Sequence, residues 1–115
     1  MAIINGVDFS TVAREAIAAA KSAANDPVAW KSLQDIVKNI TDGLKADVPL
    51  IAKRKISGEF NENDAAVFME DQKMVARIRI RSLSIIGLQI AENIWNAIAS
   101  VFRIAINKAI GWTVL

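Results

Sequence analysis

The 115-residue chain carries 14 basic and 12 acidic side chains, a net charge of +2 that is too small by itself to argue for nucleic acid. It has no histidine, cysteine or tyrosine, which removes the usual general base, the thiol nucleophile, disulfides and zinc sites built on His or Cys. Hydrophobic residues make up 53% of the chain, and the excess of Ala and Ile points to a single all-helical domain over residues 1–115.

The first eight residues lack the basic region and long apolar run of a signal peptide. Asn5-Gly6 is a turn signal, and Asp8 or Ser10 can cap a short N-terminal helix over about residues 10–24. Its apolar face would be Val12, Ala13, Ala16, Ile17, Ala20, Ala23 and Ala24. Small side chains each bury little area, so this helix reads as an accessory strut.

The second helix, over about residues 27–55, has a clean start in Asp26 as N-cap and Pro27 at the first helical position. Trp30, Leu33, Val37, Ile40 and Leu44 recur at three- and four-residue steps, a seam of the coiled-coil kind. Pro49 is expected to kink or restart the helix, and Ser57-Gly58 to end it.

The third helix opens at Asn61, with Asp64 as its capping partner, and meets no strong breaker before Gly111. Read as one element over about residues 62–110, it would be roughly 70 Å long. The stretch from Ala76 to Ile85 partly alternates like a strand, but no second strand of matching character exists to pair with it. Gly87, near a shift in the polar face, is a plausible kink. The expected architecture is a long antiparallel helical hairpin plus the short N-terminal helix, assembled into an oligomeric bundle.

The C-terminal part of the third helix decides the functional reading. Its polar residues form one seam: Gln89, Glu92, Asn93, Asn96, Ser100, Arg103 and Asn107. At 3.6 residues per turn they fall within about 100° of circumference, leaving an apolar arc of roughly 260°. Helix two folded back would reach only about residue 88, so one thin helix would remain to cover that arc. Ile90, Ile94, Trp95, Ile98, Phe102, Ile106, Ile110 and Trp112 are therefore expected to form an oligomer interface. Glu92 and Arg103, about three turns apart, would find each other between chains. The seam itself would face water, symmetry-related copies or the lumen of a pore.

Other charged groups point elsewhere only faintly. Lys53-Arg54-Lys55 with Arg77, Arg79 and Arg81 would make a cationic band if the hairpin brought them together. Acidic residues between them weaken that reading, and nucleic acid is not favoured; Arg79 is assigned instead to an intersubunit contact. Glu59, Glu62, Asp64, Glu70 and Asp71 lack the spacing of a calcium loop and read as a capped, solvated turn.

No cofactor, metal site or convergent reactive site is expected, so an enzyme is not. The chain reads as a structural or assembly protein that associates with itself, as part of a ring, tube, filament or particle, with other assembly subunits as further partners. The second reading is a membrane-active protein whose amphipathic C-terminal helix inserts in, or forms a pore through, a bilayer. Lacking a signal peptide and a clear transmembrane segment, the chain is expected by default in the cytoplasm or in an assembled particle.

Overall fold

The computed structural model describes residues 3–82 and 88–115. The fold is all-α: α1 (Phe9–Ala24), α2 (Pro27–Ser57), α3 (Glu62–Arg81) and α4 (Leu88–Ile110), preceded by a two-residue antiparallel strand pair, β1 (Ile3–Ile4) and β2 (Val7–Asp8). Asn5 and Gly6 both take positive φ, 49° and 80°, the conformation of a tight hairpin turn whose twist matches that of its flanking strands.

Each helix starts and stops for local reasons. The Asp8 side chain accepts from Ser10 N–H, and Asp26 accepts from Val28 and Ala29 N–H, satisfying donors that no helical carbonyl can reach. Asn61 and Asp64 close a reciprocal capping box, at 2.8 and 3.0 Å. Gly58 ends α2 with φ +82°, a left-handed conformation that a Cβ would strain. Pro49 lies inside α2 without ending it, so the expected restart does not occur, and Val48 and Ile51 beside it are fully buried.

The third helix differs from the sequence expectation. It is two helices, α3 ending at Arg81 and α4 starting at Leu88. A side chain on each shows the reversal: Arg77 and Glu92 form an ion pair at 2.8 Å, whereas 15 residues of one straight helix would separate them by about 22 Å. The longest dimension of the molecule is 45 Å, too short for a helix of roughly 70 Å. Folding back lets α4 bury its apolar arc, which a single extended helix would leave in water. The anticipated kink at Gly87 and the end of the strand-like stretch lie outside the described residues.

α4 packs against all three other helices, most extensively against α1. The α1 face is the expected one: Val12, Ala13, Ala16, Ala20 and Ala24 are buried, with Ile17 and Ala23 partly so, and Phe9 adds a large fully buried ring. The role is not. α1 is the principal cover of α4, because alanine-lined faces let two helices approach closely. Leu33, Val37, Ile40 and Leu44 of α2 are buried as the seam predicts, with Trp30 at its edge.

Several elements converge on the C-terminus of α4, where unpaired carbonyls need donors. Gly111, at φ +79°, returns its N–H to Asn107 O at 2.9 Å. Lys55 of α2 donates to Ile110 O and Asn5 of the hairpin turn to Ala109 O. The Lys55 ammonium also lies 4.6 Å from the Trp112 ring centre. Beyond the helix, Thr113 N–H bonds Glu62, and Val114 and Leu115 N–H bond the Asn107 side chain.

Candidate interaction surface

The residues proposed from the sequence as an oligomer interface lie inside the single chain. Ile94, Ile98, Phe102 and Ile106 have no exposed surface, Trp95 and Ile110 are 2–3% exposed, and Ile90 and Trp112 pack against the core from its edge. The expectation that one chain could not bury them is therefore corrected. It counted only helix one as cover, whereas the reversal after α3 gives α4 three neighbours. Among the described side chains of α4, the large apolar one left outward is Ile104, 74% exposed.

The polar seam marks where α4 meets solvent. Gln89, Asn93, Asn96, Ser100 and Arg103 are exposed, while Glu92 and Asn107 are half-buried. Gln89 donates to Asn93 at 3.0 Å along the helix. Asn107 anchors the chain beyond α4. Glu92, expected to meet Arg103 of another chain, pairs with Arg77 of its own, because α3 lies against its side of α4. Part of the seam lines a cleft of about 360 Å³ that Lys73, Arg77 and Arg103 make cationic, with Glu92 the one carboxylate side chain in its wall. The Nε of Arg77 is buried there with no hydrogen-bond partner among the described residues.

The expected cationic band is not assembled. Arg79, assigned from the sequence to an intersubunit contact, hydrogen-bonds Asn39 on α2 of its own chain. Asn39 lies 15 residues before Arg54, so the two basic groups sit about 22 Å apart along α2. Within the cluster, Arg54 stacks 5.1 Å from the Phe60 ring centre, Lys55 caps α4, and Lys53 is exposed. Three of the five acidic residues sit at the capped turn, where Glu59 accepts from Ser57, Asp64 closes the capping box and Glu62 holds Thr113, whereas Glu70 and Asp71 lie on the exposed face of α3. Among the described residues no group of His, Cys, Asp or Glu could hold a metal.

The surface that stands out is on α3. This helix buries only Ala65, Met69, Ala76 and Ile80. Directly opposite, about 180° around the helix, Val67, Met74 and Ile78 form an outward row, 55%, 52% and 64% exposed, with Val75 at its flank. The row is bordered by charge of two signs. Glu62, Asp64, Glu70 and Asp71 are the charged residues of its N-terminal half, and Lys73, Arg77, Arg79 and Arg81 those of its C-terminal half. Acids near the start and bases near the end suit the helix dipole, but that effect fades within one turn. It does not account for Glu70, Asp71, Lys73 and Arg77 in the middle.

Sequence reasoning missed this face although its seven- and four-residue spacing was readable. The sequence reading placed the exposed apolar surface on the C-terminal half of the third helix and assigned no apolar face to residues 62–81, and periodicity does not say which of two apolar rows meets the core. No protein family matches the chain, and neither a curated protein nor a solved structure is similar to it.

Proposed function

We propose that the protein is a non-enzymatic structural or assembly subunit that works by associating with copies of itself. The observation that carries this reading is the outward row of Val67, Met74 and Ile78 along one helix; the large exposed apolar side chains described on the other elements, Ile3, Val28, Ile56 and Ile104, stand singly, Val28 and Ile56 at opposite ends of α2. Isolated apolar side chains on a surface are ordinary, but a row along one helix, rimmed by charge, is the anatomy of a protein contact. The contact belongs to α3; the arc of α4 that suggested self-association is occupied by the fold. Other subunits of a larger assembly are natural further partners.

The membrane reading has less in its favour. No helix among the described residues is long and apolar enough to cross a bilayer. Insertion of α4 would also require opening the bundle and stripping it from α1.

Sedimentation velocity without detergent, with liposome flotation in parallel, tests the proposal. The expected result is a concentration-dependent dimer or larger species and no flotation. A mass that stays monomeric up to about 100 μM, where even a Kd in the micromolar range would show, overturns it.

A further inference from the structure

We propose that the partner of the α3 face is the α3 face of a second copy, docked antiparallel about a two-fold axis near Met74. The proposal rests on the self-association reading and adds its orientation and register. Three observations carry it. The exposed row is centred within the helix and not at an end, so two copies crossing there bury Met74 against Met74 with Val67 and Ile78 on either side. The helix is divided into an acidic and a basic half. And Asp71 and Arg81, both exposed beside the row, make no ion pair and no side-chain hydrogen bond among the described residues.

Charge complementarity selects the orientation. Parallel docking would set acid against acid and base against base along the whole contact, which opposes association. Antiparallel docking reverses one helix. Arg77 and Arg81 then lie along the same edge of the contact as the partner's Glu70, each within about a turn of it, and Ile78 lies level with the partner's Glu70 stem. Because the same patch serves both chains, the assembly closes as a two-fold dimer, the commonest symmetry of soluble homo-oligomers. Arg77 keeps its 2.8 Å bond to Glu92, so the partner's Glu70 adds a second carboxylate to a guanidinium that is already oriented.

The absence of cysteine makes the register directly readable. Met74→Cys, oxidised under mild conditions, is expected to give a disulfide-linked dimer, because the axis brings the two copies of this position within bonding range. Val67→Cys alone is expected to stay unlinked, since antiparallel docking puts its two copies about 21 Å apart. Mixed with Arg81→Cys, it is expected to link across the pair. Glu70→Lys combined with Asp71→Lys should weaken the dimer at least tenfold while leaving the helical circular dichroism unchanged. Self-linking of Val67→Cys would mean parallel docking and would overturn the proposal. So would a dimer by sedimentation that Met74→Cys fails to link, which leaves the self-association reading standing with another face. Monomeric behaviour of the wild-type chain at every concentration removes both.

Discussion

α1 and α3 flank the same core helix and use their apolar residues in opposite ways. α1 is rich in alanine, yet hides nearly all of its apolar face in the core; α3 carries Val67, Met74, Val75 and Ile78 and leaves them outward. Side-chain size explains the difference. Alanines permit close approach over a long contact, and the gain comes from burying the large residues of α4, which include Phe102, Ile98 and Ile94. On α3 the inward row is likewise small or flexible, Ala65, Met69 and Ala76, with Ile80 at its end. Its bulkier apolar residues occupy the other side. Burial of a helix is therefore decided by the neighbour it fits and not by its own hydrophobicity.

The largest effect should come from testing that contrast at two single positions. Phe102→Ala, in the fully buried contact of α4, is expected to destabilise the fold by about 3–5 kcal/mol. Ile78→Ala, on the outward row of α3, should change monomer stability by no more than about 0.5 kcal/mol while weakening self-association. Urea unfolding of dilute protein measures both, and comparable losses would show that the outward row of α3 is not solvent-facing in the monomer.

A smaller effect probes the close approach of α1. Ala16→Leu places a large side chain in a position with no exposed surface and should cost about 1–3 kcal/mol through overpacking. Ala18→Leu, two residues away on the exposed side, should be nearly neutral. If thermal melts find the two variants alike, α1 is the loose strut that its composition suggested.

The smallest effect concerns the α2–α3 side. Asp47 lines a small cavity there with Gln72, Ala76 and Arg79, and burial raises its pKa from 3.8 to about 6. Between those pH values the folded chain holds a proton that the unfolded chain has released, so Asp47 favours folding less as pH rises through the window. Asp47→Asn removes that loss. Its melting temperature should exceed that of the wild type at pH 7 and match it near pH 4, and an equal gain at both pH values would rule out titration of Asp47 as the cause.

Local chemistry was legible because it depends on neighbours in sequence. Asp26-Pro27 starts α2, Gly58 ends it and Asn61 with Asp64 starts α3, each through groups within four residues of one another. The seam Leu33, Val37, Ile40 and Leu44 followed from helical periodicity in the same way. Even so, the local reading ran too far. Without a strong breaker, residues 62–110 looked like one helix, although α3 and α4 are separate and face each other across the Arg77–Glu92 pair.

By itself, then, the amino-acid order determined that the chain is helical, where most helices begin and end, and which faces are apolar. Only the tertiary structure decided what each face meets. It set alanine-rich α1 over the broad apolar arc of α4, turned the supposed oligomer interface into core, and left a charge-divided apolar row outward on α3. The reason is physical. Caps and periodicity arise from contacts a few residues apart, whereas burial of an arc depends on the size and fit of side chains brought together across the chain by its reversals.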